Sequence, residues 1–345
     1  LSSAASDVYK RQGEGHTPLL NYNDHPLAQQ NGFTLWVKDE GKAHRGFGAN
    51  PTQSFKDRGM AMTISMAHKA GITKLAVPTQ GNAGDSMCEY AYAAGMQAVV
   101  AMPDNTPLPI LGRVAALARQ SEYFDLELVT GTIREAGALL KEKWLDKGYF
   151  SVATFQEPGW RIDGKKTMGL EIAEPKQTDD PWSLPDVVIY PTGGGTGVLG
   201  MWKAWNELES MGLIDHFRPR IICVQSDSTQ PLVNAYESGA IEVAAVEPGE
   251  TLAYGVNVPG GVGHFKVLEI VRESGGAAIG VSEDDINMAL SKVWKDKGWW
   301  VCPEGAACLA ALPRLCLLYT SPSPRDCVSN LVCRLLLEKR GGGGG

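Results

Sequence analysis

None of the seven cysteines in these 345 residues stands in a C-x-x-C pair. That absence excludes the common zinc frameworks and a disulfide scaffold, and it fits a reducing, cytoplasmic setting. Cys302 and Cys308 lie six apart with nothing near them in sequence to complete a metal site, and the histidines show no ligand spacing, so no metal is expected. Basic residues are also in deficit, 32 against 39 acidic ones, for a formal charge of −7. Without a basic cluster, a nucleic-acid or anionic-membrane surface is not expected. No apolar run reaches the roughly 18 residues that a membrane helix needs. What remains is a chain that is 43% hydrophobic, enough for one large or two ordinary cores.

The two ends read differently from the middle. Leu1–Gln12 (LSSAASDVYKRQ) and Leu317–Asp326 (LLYTSPSPRD) resemble translated adapter sequence, and the residues after them show no period continuous with what precedes. Residues 1–12 and 315–345 are therefore expected to be non-native and are set aside from the fold.

Between them, short β-branched runs alternate with helical patterns. Lys74–Thr79, Gln97–Pro103, Leu126–Thr130, Tyr149–Thr154, Asp186–Thr192 and Arg220–Asp227 read as strands buried on both faces. Asn82–Ala94, Pro107–Gln120, Ile133–Lys147 and Val198–Ser210 read as the helices between them. Gly71, Gly95, Gly148 and Gly212 stand where a helix end takes a left-handed residue. Pro175–Pro185 interrupts the alternation and reads as a surface excursion. Repeated strand-helix-strand units imply doubly wound parallel sheets, whose ligands bind at the carboxyl ends of the strands.

Three loops at such ends carry the chemistry. In Asn50-Pro-Thr-Gln-Ser-Phe-Lys56-Asp-Arg-Gly59, one amine sits where a loop becomes a helix, as a lysine forming an imine with a carbonyl cofactor requires. A solvated surface lysine is the plainer alternative. Thr79-Gln-Gly-Asn82-Ala-Gly84 and Gly193-Gly-Gly-Thr-Gly197 each follow a strand and open a helix, with glycines that let backbone amides approach an anion. Tight turns alone would also select those glycines. Gly195-x-Gly197-x-x-Gly200 matches the dinucleotide fingerprint as well, with Asp227 as its acidic partner, and so admits a nicotinamide-dependent oxidoreductase. Gly159–Lys166 approaches a P-loop but has Lys166 where Ser or Thr must ligate magnesium, and is rejected. His16 and His264 fit satisfied structural histidines better than active-site groups.

In order along the chain, Gly13-Glu-Gly-His-Thr-Pro-Leu19, the Lys56 run, Gly81-Asn-Ala-Gly84, Arg161-Ile-Asp-Gly-Lys-Lys-Thr167, the Gly193 loop, Val258-Pro-Gly-Gly261 and Pro303-Glu-Gly-Ala-Ala307 resemble the threonine synthase group of fold-type-II pyridoxal-phosphate enzymes. The resemblance implies two doubly wound α/β domains with a cofactor cleft between them. The larger would comprise residues 13–58 and 156–314, and the smaller 59–155. It implies that Lys56 carries the cofactor and that Gly193, Gly194, Gly195, Thr196 and Gly197 cradle its phosphate. Asn82 would bond the ring hydroxyl, Thr79, Gln80 and Gly84 the substrate carboxylate, and Arg161 a substrate phosphate.

The implied reaction converts O-phospho-L-homoserine and water to L-threonine and phosphate. Relatives of this type are commonly homodimers. Two departures favour a threonine or serine ammonia-lyase instead: Gln80 replaces a small hydroxyl residue, and Glu157 lies near a position where the group has asparagine. A cofactor-carrying amino-acid binder without turnover also stays open. The partner of the pyridine nitrogen, expected on a strand after the Glu304 helix, has no candidate here.

Overall fold

The computed structural model describes residues 12–153, 155, 157–177, 179–319 and 330–335. The elements run β1 (Leu19–Asn21), α1 (Pro26–Asn31), β2 (Thr34–Asp39), α2 (Lys56–Lys69), β3 (Lys74–Pro78), α3 (Ala83–Ala94), β4 (Gln97–Pro103), α4 (Leu108–Gln120), β5 (Phe124–Val129) and α5 (Ile133–Lys143). They continue with β6 (Phe150–Ser151), α6 (Trp160–Ala173), β7 (Val187–Pro191), α7 (Thr196–Ser210), β8 (Arg220–Ser226), α8 (Pro231–Glu237), α9 (His264–Glu273), β9 (Ala277–Val281), α10 (Glu283–Lys297), α11 (Pro303–Ala310), α12 (Leu312–Tyr319) and β10 (Asn330–Leu335).

The chain divides into two compact units, one built on Gly48–Lys165 and one on His16–Phe47 with the chain from Lys166 onward. The first unit carries a four-stranded parallel sheet in the order β5-β4-β3-β6. Its central strands β3 and β4 are buried on both faces, so their alternate residues feed two cores. Leu75, Val77, Ala98, Val100 and Met102 pack with Met60 and Ile64 of α2 and Met87 of α3. Ala76, Val99 and Ala101 pack on the other side with Ala136 and Leu140 of α5.

The second unit carries a six-stranded sheet, β1-β2-β10-β7-β8-β9, parallel except where β1 pairs antiparallel with β2. Val187, Ile189, Ile222, Val224 and Ile279 share a core with Ile286 and Val293 of α10, Ala307 of α11 and Leu315 of α12. Both sheets are doubly wound, as the alternation of runs predicts.

Strand order fixes where each sheet can bind. In the first unit β3, β4 and β5 step one way and β6 returns to the far side of β3. In the second, β7, β8 and β9 step one way and β10 returns to the far side of β7. The order therefore reverses at β3 and at β7, and the crevice of a doubly wound sheet opens at the carboxyl end of the strand where it reverses. The Thr79–Gly84 loop leaves β3 there, and the Gly193–Gly197 loop leaves β7 there.

Two expectations meet a different arrangement. Residues 330–335, set aside with the tail, form β10 in the middle of the larger sheet, paired with β2 and β7. Residues 1–11 and most of 320–345 lie outside the described residues. The Lys56 segment, assigned from sequence to the larger domain, falls in the first unit, because Met60, Ala61 and Ile64 of α2 are part of that unit's core. The boundary on the other side falls inside α6, at Lys165, not at residue 156. Gly71, Gly95, Gly148 and Gly212 all take left-handed conformations just past the helix ends that they were expected to close.

Candidate active site

In the first unit, the turn before α2 is built by its own side chains. Gln53 takes a left-handed conformation at φ 58°. Asp57, fully buried, accepts hydrogen bonds from the Thr52 amide at 2.7 Å and the Thr52 hydroxyl at 2.7 Å. These bonds fix the loop that delivers Lys56 as the first residue of α2. Lys56 is half-buried, and its amine lies 3.8 Å from the centre of the Phe55 ring. No side chain caps α3 at its start, so backbone amides are presented there, whereas at the start of α2 the Ser54 hydroxyl accepts from the Lys56 amide at 3.3 Å.

Burial pushes the Asp57 carboxyl up to about 7, against the bonds from Thr52, and Asp85 in the first turn of α3 adds repulsion. Folded Asp57 thus holds its proton more tightly than the unfolded chain, whose value is 3.8. The stability that this confers is complete below pH 4 and is lost as pH rises to about 7. Asp57→Asn is expected to remove that loss. Urea unfolding of the variant should be flatter between pH 4 and 7 than that of the parent, by roughly a few kcal/mol. Equal slopes would show that Asp57 titrates normally.

The β3 loop is tied by Thr79, whose hydroxyl accepts from the Gly81 amide and donates to the Gly81 carbonyl, both at 3.0 Å. Asn82 is the residue preceding α3. Gly84 admits no side chain: a Cβ would sit 2.8 Å from Val100 and 2.9 Å from Thr79.

Arg161 opens α6 and is 4% exposed. Its backbone amide donates to Glu157 Oε1 at 2.7 Å and its Nη1 to the Val152 carbonyl at 3.1 Å. Its Nε and Glu157 Oε2 are buried with no hydrogen-bond partner among the described residues. Burial lowers the guanidinium to about 10, and Glu157 opposes that shift. A buried N–H left without an acceptor is a standing demand for one. Residues 160–166 are already helical, so they form no phosphate-binding loop.

In the second unit, Gly195 turns left-handed at φ 76° and precedes α7, which has no side-chain cap. The loop is pressed from behind at three points. A Cβ on Gly193 would lie 2.5 Å from the Gly255 carbonyl, one on Gly195 2.3 Å from Val267, and one on Gly197 1.7 Å from the Tyr190 hydroxyl. The segments that resemble family motifs form this backing. Glu304 at the start of α11 accepts from the Gly255 amide at 2.6 Å, and Val258 lies against Gly193. Buried His264 bonds the Gly193 carbonyl through Nε2 at 2.7 Å. Sequence reasoning assigned neither Glu304 nor His264 to this loop, and no local pattern could have joined residues 49 and 71 positions apart.

The fit to pyridoxal phosphate rests on this loop. A run of three glycines before an uncapped 15-residue helix suits a phosphate, and Gly194, with nothing within 4 Å of its Cβ position, has open space beside it. Gly197 is required by the close approach of the Tyr190 hydroxyl, so its place in the Gly195-x-Gly197-x-x-Gly200 spacing has a packing explanation.

Comparison with known proteins agrees. The threonine synthase of Methanosarcina acetivorans is 31% identical over 304 residues, covering 88% of this chain and 70% of that one. That of Methanocaldococcus jannaschii is 29% identical over 305 residues, with the same coverage. Among solved structures, a fungal L-serine ammonia-lyase from Rhizomucor miehei superimposes with a TM-score of 0.73 at 18% identity, covering 95% of this chain and 94% of that one. The processed form of threonine deaminase isoform 2 from Solanum lycopersicum gives 0.71 at 22% identity, covering 99% and 87%. These two likenesses show the fold, that of fold-type-II pyridoxal-phosphate enzymes. Residues 10–330 match the pyridoxal-phosphate dependent enzyme family, and with the relatives of threonine synthase kind they place this chain in it: it is a pyridoxal-phosphate-dependent enzyme.

Proposed function

We propose that the chain is a carbon–oxygen lyase of threonine synthase type, converting O-phospho-L-homoserine and water to L-threonine and phosphate. The observation that carries this reading is the buried Arg161 guanidinium, whose Nε has no acceptor among the described residues, on a chain whose curated relatives are threonine synthases. A guanidinium fork suits a phosphate oxyanion.

Pyridoxal phosphate, when bound, supplies an aldehyde for an amine and a ring that takes up electrons from the substrate's α-carbon. Lys56 is the amine that holds the aldehyde at rest. As a free amine it would be placed to remove the α-proton and to return protons to the carbon skeleton. Gly193, Gly194, Gly195, Thr196 and Gly197 hold the cofactor phosphate by backbone amides, and Asn82 orients the ring through its hydroxyl. Thr79, Gln80 and Gly84 receive the substrate carboxylate at the start of α3, where the helix dipole favours an anion. The setting is cytoplasmic and the assembly a homodimer; the described cysteines are all free, and no described helix is long and apolar enough to cross a membrane.

One observation favours a threonine or serine ammonia-lyase instead. Glu157 bonds the Arg161 backbone and offsets its charge, and a second carboxylate oxygen there would repel a phosphate. Offering O-phosphohomoserine, threonine and serine separately decides between them. Phosphate release with threonine formation is expected, and Arg161→Ala should raise KM for phosphohomoserine by roughly a hundredfold. Formation of 2-oxobutyrate or pyruvate alone would replace the synthase by the lyase.

A further inference from the structure

We infer that His264 is a positioning residue for the phosphate cradle and that its protonation loosens the grip on the cofactor. The inference rests on the Gly193–Gly197 loop being that cradle. His264 is the first residue of α9 and is 1% exposed. Its Nδ1 accepts the Gly261 amide at 3.2 Å, which leaves the proton on Nε2 to be donated to the Gly193 carbonyl at 2.7 Å. One neutral tautomer therefore ties the Val258-Pro-Gly-Gly261 segment to the first glycine of the loop. Gly261 is fitted to the ring as well: a Cβ there would lie 2.5 Å from the imidazole. Val267, one turn further along α9, backs Gly195 in the same way.

Imidazolium has two donors and no acceptor. On protonation the Gly261 amide loses its partner inside a closed turn, and the segment behind Gly193 has to move. Burial lowers the pKa of His264 and the bond to Gly193 opposes the shift; the start of a helix also disfavours a cation. The other charges on the packed elements do not reach it. Lys266, Glu269, Arg272 and Glu273 of α9, Lys203, Glu207 and Glu209 of α7 and Glu237 of α8 are exposed, Arg220 stands at the far, amino-terminal end of β8, and Glu304 is engaged with the Gly255 amide. Protonation therefore begins below the ordinary histidine range, and the neutral tautomer serves at neutral pH. An anionic phosphate would pull the other way by attracting imidazolium. The geometry points to the lost acceptor as the stronger effect, because it acts on a backbone bond in direct contact with the ring.

The test uses pyridoxine 5′-phosphate, which has the phosphate but no aldehyde and so binds without Lys56. Its affinity for the cofactor-free chain is titrated between pH 7.5 and pH 5.5 for the parent and for His264→Gln. The parent is expected to lose about tenfold more affinity over that interval than the variant. Equal slopes, or tighter binding of the parent in acid, would overturn the role of His264 alone. Absence of binding at either pH would overturn the cradle assignment and this inference with it. Should His264→Gln fail to fold, nitrogen chemical shifts of the parent imidazole at pH 7.5 decide: a proton on Nε2 supports the inference, and one on Nδ1 refutes it.

Discussion

Replacing Lys56 by alanine is expected to remove the absorption band of the lysine-bound cofactor and to lower turnover by about four orders of magnitude. Two losses combine. The amine proposed to hold the aldehyde disappears, and with it the group proposed to exchange the α-proton, each a large contribution. Overall stability should change little, because Lys56 is half-buried at a helix start with its amine over the adjacent Phe55 ring. Lys69→Ala, at the exposed far end of α2, serves as the control and should leave the spectrum intact. A preserved band in Lys56→Ala would remove this residue from the mechanism.

The second large effect is steric. Gly193→Ala puts a methyl group 2.5 Å from the Gly255 carbonyl, and a backbone atom held by Glu304 through its own amide cannot swing aside as a side-chain tip can. Either the loop or its backing must shift. Displacements of about 1 Å in a positioned site weaken function by roughly a hundredfold, and a loss of that order is expected in cofactor affinity. Gly194→Ala makes the contrast informative. Its Cβ would meet nothing within 4 Å, so any loss of affinity there reports the ligand's own need for space. Similar affinity in the parent and Gly193→Ala would show that the loop does not hold the phosphate.

Much of the scaffold was legible because its signals are local. Gln97–Pro103 reads as a strand from its apolar run, and β4 has those bounds. Helix ends were marked by glycines that turn left-handed, an intrinsic property of the residue. The strands that went unread lack such a run. In β9, Ala277-Ala-Ile-Gly-Val281 is too short and glycine-containing to stand out. In β2, the end is buried yet charged: Lys38 is held by the Thr17 carbonyl and Glu171, and Asp39 by His44. Those partners make a buried lysine tolerable, and most are distant in sequence.

The site divides in the same way. Lys56, Asn82 and the glycine loops announce themselves by composition at strand ends. What holds them in shape, through Thr52 on Asp57, Glu304 on Gly255 and His264 on Gly193, depends on hydrogen-bond geometry that residue patterns do not encode.

The place of β10 bears on how the molecule is made. On a chain emerging from the ribosome, the strands of the first unit all lie between Lys74 and Ser151 and can pair early. In the second unit, Thr34 waits for Asn330 and Val187 for Leu331. Until β10 emerges, β2 and β7 each keep a raw edge of unpaired amides and carbonyls, the kind of surface on which nascent chains associate with one another. β10, made after both, closes both edges at once, so this half of the molecule carries its aggregation hazard until that strand emerges.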